Sequence, residues 1–266
     1  MTSKERMLNI LNHKKVDRIG LCETFWNDTK KEYISKGFMK QEESFEDHFG
    51  IDLIKSQPFK MIADIDVEPK TIDETEDTIT MLDGNGAILR KHKKHEATPE
   101  HIDFSVKCQN DWEKIKPFLT KVDERRINFE MYRKIKEDAK KKDKFFVWTG
   151  INVFECMHPV CGHENMLVGM ALEPEWITDM AKTYSELTVS LQEILFEKEG
   201  KPDAIWYYED MGFKERPFMS PQMYKELIMP AHQYTLDYAH SIGLKTIMHS
   251  CGYVRPLLPH MIEAGI

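Results

Sequence analysis

Apolar positions recur along this chain in two rhythms, the 3.6-residue period of helices and the two-residue period of strands. The opening "MTSKERMLNILNHKK" is amphipathic at helical spacing and carries Thr2-x-x-Glu5 as a capping box. "DRIGLCETFW" then predicts a short strand, Arg18 to Cys22, followed by an acid and aromatics, and "IDLIKS" predicts another from Ile51. Over 65–92 the character changes: "DTITMLDGNGAILRKH" alternates and turns at Asp83-Gly84-Asn85-Gly86, a β-hairpin signal with a glycine-containing loop. Those glycines are followed by strand-like alternation, which does not suit a phosphate-cradling loop opening a helix.

From Phe145 the rhythm is regular. The strand "FFVWTG" leads to a helix around Glu164 to Ala171. Pro174 then opens a long helix with Trp176, Ile177, Met180, Tyr184, Leu187, Leu191, Ile194 and Leu195 on one face, and Gly200 stops it. "DAIWYYED" is the next strand, Ser220-Pro221 caps the next helix, and that helix runs through Pro230 to Gly243. "LKTIMHS" is again a strand and "RPLLPHMIEAG" again a helix. Strand, helix, glycine, strand is the pattern of a parallel α/β protein wound into a barrel or an open sheet. The expectation is one domain over 1–266, with the hairpin at 65–92 as an insertion or lid. The strand due after Gly265 falls outside the 266 residues, so the barrel is expected to be incomplete at its C-terminus.

Composition narrows the function classes. With 266 residues, 41% of them apolar, the chain can bury a sizeable core. A formal charge of −8 offers no positive field for nucleic acid or an anionic membrane. The lysine-rich "KEDAKKKDK" is interrupted by acids and reads as a solvated helix end. The longest apolar run falls short of the ~20 residues a bilayer requires. Five cysteines, Cys22, Cys108, Cys156, Cys161 and Cys251, are an odd number, and no apolar signal segment precedes them; a reducing cytoplasm is expected in place of a disulfide framework.

In parallel α/β folds, functional groups collect at the carboxyl ends of strands. Those ends supply Cys22 and Glu23, then Asn152 and Glu155, then Glu209 and Asp210, and finally His249 and Cys251. On an extended backbone His249 and Cys251, two apart, point to the same side, as two metal ligands must. Imidazole and thiolate suit zinc, and the N–H groups near Gly252, at the start of the next helix, are expected to favour a thiolate. Spacing alone leaves open a buried histidine beside a core cysteine, because the ligand count is short. "CMHPVCGH" gathers Cys156, His158, Cys161 and His163, but its spacings match no usual structural-zinc pattern, and it reads equally as the lining of a loop. Glu209 and Asp210 are adjacent, so at most one readily faces a pocket. Such a carboxylate could ligate a metal, act as a general base or anchor a substrate hydroxyl; capping a helix is the alternative.

Three stretches, "KERMLNILNHKKVDRIG", "YYEDMG…FMSPQMYKELIMPAHQ" and "HSCGYVRPLLPHMIEAGI", together resemble the uroporphyrinogen decarboxylase superfamily. The resemblance spans nearly the whole chain and is strongest from residue 200 onward. It implies a (β/α)8 barrel of the TIM type with its site at the strand carboxyl ends. True decarboxylases of this superfamily bind a polycarboxylate tetrapyrrole through an arginine-rich motif after the first strand. Here "CETFWNDTKKEY" places Glu23, Phe25 and Trp26 where guanidinium groups would pair with carboxylates. The other branch contains cobalamin-dependent methyltransferases that bind zinc through a His-x-Cys late in the barrel and through a further cysteine, and His249 and Cys251 match the first half of that motif. The third ligand is then expected beyond Ile266.

The resemblance thus implies a methyltransferase that uses zinc as a Lewis acid and exchanges methyl groups between a small methylated donor or a thiol and a corrinoid on a partner protein. Glu209, Asp210 and Glu23 are the expected catalytic acids. Trp26, Asn152, Phe154 and Tyr208 are expected against substrate, in a pocket that Phe25, Trp148 and Tyr207 would help line. A decarboxylase-type tetrapyrrole enzyme and a truncated, non-catalytic barrel are the alternatives.

Overall fold

Strands whose residues are apolar on both faces pair in parallel and must be covered on both sides, and this requirement organises the computed structural model, which describes residues 1–266. The chain begins with helices α1 (Ser3–Leu11), α2 (Asn27–Ser35) and α3 (Phe45–His48), then strand β1 (Leu53–Ser56). Four strands follow, β2 (Lys70–Glu74), β3 (Thr78–Leu82), β4 (Ala87–His92) and β5 (Glu100–Phe104), and then helices α4 (Gln109–Thr120) and α5 (Phe129–Lys141). The regular part comprises β6 (Phe145–Ile151), α6 (Val153–Leu172), α7 (Pro174–Glu199), β7 (Ala204–Tyr208), the short α8 (Pro221–Met223), α9 (Met229–Ser241), β8 (Lys245–His249) and α10 (Leu258–Ala264). No helix is long and apolar enough to cross a membrane.

The α/β class predicted from the rhythm is observed. One parallel sheet has the order β1-β6-β7-β8, and its register sets Ile151, Tyr208 and His249 side by side at the carboxyl edge. The helix predicted after Pro174 forms as α7, with Trp176, Ile177, Met180, Tyr184, Leu187, Leu191 and Leu195 buried and Ile194 half-buried. Between α8 and α9 the helix widens into a π turn over Tyr224–Ile228. Pro230 has no N–H for the carbonyl four residues before it, which accounts for the loosened turn.

The parallel sheet of residues 1–266 holds four strands. Several expectations are corrected. The segment 18–22 is no strand: the Leu21 N–H donates to the Asp52 carboxylate, and the Leu21 carbonyl accepts from the Asp52 N–H, which replaces a ladder. The hairpin at 65–92 is the centre of a wider antiparallel sheet, β2-β3-β4-β5, that runs to Phe104. Its outer strand β2 is fully exposed and carries no apolar alternation to reveal it. The predicted turn is present, with Gly86 at φ 72° and the Asp83 carboxylate accepting from the Asn85 and Ala87 N–H groups. The helix expected near Glu164 begins at Val153, eleven residues earlier, for a reason given below.

Asp52 anchors the N-terminal segment. Its carboxylate, with no exposed surface, accepts from Arg6 Nη1 at 2.6 Å, from Arg18 Nη1 at 2.7 Å and from the Leu21 N–H at 2.8 Å. Burial opposes its ionisation, but Arg18, the Leu21 N–H and Arg6 outweigh it and hold the carboxyl below its ordinary value. A lowered folded value means stability that is present above the unfolded pKa, about 3.9, and lost as pH falls through the folded one. Asp52→Ala is therefore expected to cost about 2 kcal/mol in urea unfolding, since it takes the acceptor from Arg6 Nη1 and the Leu21 N–H while Arg6 keeps Asp17. In Asp52→Asn, the fall of stability with pH below about 4 should be flatter than in the parent chain.

Candidate metal centre

The strand ends deliver one acid inward and one outward. Glu209, directly after β7, is fully buried; its carboxylate accepts from the N–H groups of Phe154 at 2.9 Å and Glu155 at 2.8 Å. These are orphan donors of the first turn of α6, and a carboxylate there also meets the positive end of the helix dipole. That cap, lent by another strand, starts α6 early. The outer oxygen also lies 2.6 Å from His232 Nε2, and His232 Nδ1 lies 2.9 Å from the Tyr224 hydroxyl. With a carboxylate as acceptor, Nε2 carries the proton and Nδ1 accepts from the tyrosine.

Asp210 turns the other way, as adjacent residues on an extended backbone do. Its Oδ1 accepts from the Cys251 N–H at 2.8 Å and lies 3.3 Å from His249 Nε2, which in turn is 3.3 Å from Cys251 Sγ. The loops after β7 and β8 approach so closely that glycine is required on both: a Cβ on Gly212 would lie 2.6 Å from the Cys251 carbonyl, and one on Gly252 would lie 2.4 Å from the Gly212 backbone. Gly252 also has φ 74°, a conformation that side chains disfavour. The Tyr208 ring, stacked on His249 at 4.3 Å, fixes the imidazole plane.

One ligand atom each from Asp210, His249 and Cys251 lie within 4.8 Å of one another. A tetrahedral zinc with its usual bond lengths needs ligand atoms about 3.3–3.6 Å apart, so the oxygen, nitrogen and sulfur fit it in type and spacing. Asp210 thus adds an oxygen to the expected pair His249 and Cys251. The expected help from backbone N–H groups near Gly252 is not found. The Cys251 N–H is taken by Asp210, and burial followed by Asp210 raises the thiol pKa instead.

His249 and Tyr208 form part of the wall of a cleft of about 560 Å³ with Glu23, Trp26, Lys55, Glu96 and Trp206. The structure brings Glu23, Trp26 and Tyr208 together around this cleft. It does not bring Asn152 and Phe154, both fully buried: the Asn152 amide nitrogen bonds Thr235, and Phe154 stacks on Phe218. Phe25 lines the cleft while stacking on Phe45, whereas Trp148 and Tyr207 lie in the core. Sequence reasoning missed Lys55 and Trp206. Both sit inside apolar strands, and Lys55 holds its ammonium 4.4 Å from the Trp206 ring centre, a cation–π contact. Glu96 was missed too. It comes from the outer sheet's connecting segment and joins the rim by accepting from Asn27 Nδ2 at 2.9 Å, while its own N–H donates to Asp28.

The "CMHPVCGH" stretch divides. Cys156 and Cys161 enter the core, where burial pushes the Cys161 thiol up to about 12. His158 and His163 are half-buried, and burial, then His158 and His101, push His163 down to about 4.

No family model and no curated protein matches the chain. Among solved structures, a methyltransferase from Methanosarcina mazei is similar, with a TM-score of 0.61 at 14% sequence identity over 100% of this chain and 74% of that one. At this identity the likeness shows a shared α/β fold.

Proposed function

We propose that this protein is a zinc-dependent methyltransferase that exchanges a methyl group between a small methylated donor or a thiol and a corrinoid carried by a partner protein. One observation carries the reading: an oxygen, a nitrogen and a sulfur atom converge at the carboxyl edge of two adjacent parallel strands, beside an aromatic-walled cleft. The fold shared with the Methanosarcina mazei methyltransferase supports it, as does the resemblance of "HSCGYVRPLLPHMIEAGI" described above. On that resemblance, the four parallel strands are part of a (β/α)8 wall. All five cysteines are free, which suits the reducing cytoplasm we propose.

Asp210, His249 and Cys251 would hold zinc. When bound, zinc supplies Lewis acidity, which lowers the pKa of a thiol or polarises the oxygen of a methoxylated donor. The remaining work belongs to the chain's own side chains. Tyr208 keeps the His249 ring aimed at Asp210 and Cys251. Trp26, Trp206 and Tyr208 would give the cleft its apolar walls, and Glu23 and Lys55 would orient the polar end of a substrate. A tetrapyrrole polycarboxylate is disfavoured, because Glu23 and Glu96 face the cleft and Arg18 is spent on Asp52.

Metal analysis and methyl-transfer assays test this reading together. Cys251→Ala and His249→Ala are expected to weaken zinc binding by more than about a hundredfold, beyond what loss of a supporting group costs, and to abolish methyl transfer. Gly212→Ala should force the two loops apart and weaken zinc by about tenfold or more with the fold intact. A zinc stoichiometry left unchanged by both ligand substitutions would show the centre to be wrong, and zinc binding without methyl exchange with any corrinoid protein would refute the activity.

A further inference from the structure

A second group of ligating side chains shares no residue with the Asp210 centre. His101 on β5 of the outer sheet, and His158 and His163 on α6, each offer a ring nitrogen, and these three atoms lie within 4.8 Å of one another. The rings form a continuous pile: His158 to His163 at 4.2 Å between centroids, and His101 to His158 at 6.0 Å. An unbroken α-helix would separate positions five apart by about 140° around its axis, so this pile requires a break. The break is at Gly162, with φ 75° and ψ 154°, and a Cβ there would lie 2.5 Å from the Phe104 ring on β5. The same glycine therefore bends α6 and admits the strand that brings His101.

His158 has the surroundings of a metal ligand. Its Nε2 lies 3.0 Å from Glu155 Oε1, and its Nδ1 is buried with no hydrogen-bond partner. A metal-bound imidazole typically places its second nitrogen against a carboxylate, which orients the ring and raises its basicity. A buried ring nitrogen without a partner carries a desolvation cost that an ion would offset.

We propose that His101, His158 and His163 form a second metal site, for a borderline divalent transition-metal ion such as zinc, cobalt or nickel, with Glu155 supporting His158. Three imidazoles without thiolate suit these ions, and the ligand set leaves a position open to water or another small ligand. Tetrahedral coordination needs nitrogens about 3.3 Å apart, so binding draws the three side chains inward by rotation about their own bonds. The site joins the outer sheet to α6 and does not depend on the Asp210 centre or on the activity proposed above.

Cobalt(II), added to the metal-stripped full chain, distinguishes the two sites by spectrum. The Cys251 site gives a thiolate-to-cobalt charge-transfer band, and an all-histidine site gives ligand-field bands without one. Cys251→Ser is expected to retain a cobalt ion with ligand-field bands alone. In that background His158→Ala should remove it, and His101→Gln, on an exposed strand, should weaken it by about tenfold or more with unchanged circular dichroism. The proposal is overturned if the Cys251→Ser chain binds no cobalt, or if His101→Gln leaves its affinity unchanged.

Discussion

The buried carboxylate of Glu209 is the constraint on which the candidate site depends. It sits where β7 ends, closes the first turn of α6 from outside and meets His232 of α9. Three elements distant in sequence are thereby fixed around one side chain. A buried charge is tolerated only where it is fully partnered, so this point leaves little freedom. Because Glu209 must turn inward, its neighbour Asp210 must turn outward, toward His249 and Cys251. The outward acid owes its position to its inward neighbour.

The parallel strands and α7 were legible because periodicity is a local property: "FFVWTG", "AIWYY" and the Trp176-to-Leu195 face declare themselves within one element. His249 and Cys251 were legible for a similar reason, two residues apart at a strand end. What could not be read depended on partners far along the chain. Which of Glu209 and Asp210 turns inward is decided by the start of α6, more than fifty residues earlier. The 18–22 segment has strand-like composition, yet its hydrogen bonds go to Asp52. His101 is one histidine in the polar strand "EHIDF", with nothing nearby to link it to residues 158 and 163.

Asn152 and Phe154 show the converse error. Residues just past a strand end were expected to face substrate, but α6 begins at once and turns them into the core. The rule that strand ends carry function holds for loops, and here the cap from Glu209 leaves almost no loop after β6. The longer connections after β7 and β8 are the ones that can present Asp210 and Cys251. Their glycines let the two backbones touch, and close packing makes the presentation rigid.

The rim of the cleft is built differently from its floor. Asn27, Asp28 and Glu96 join the outer sheet's connecting segment to α2 through exposed hydrogen bonds that water can replace one at a time. The floor, by contrast, consists of strand ends held by the parallel ladder. Opening of the rim therefore breaks none of the bonds that space Asp210, His249 and Cys251, so a substitution in the Asn27, Asp28 and Glu96 bridge can change access to the cleft without changing the arrangement at its floor.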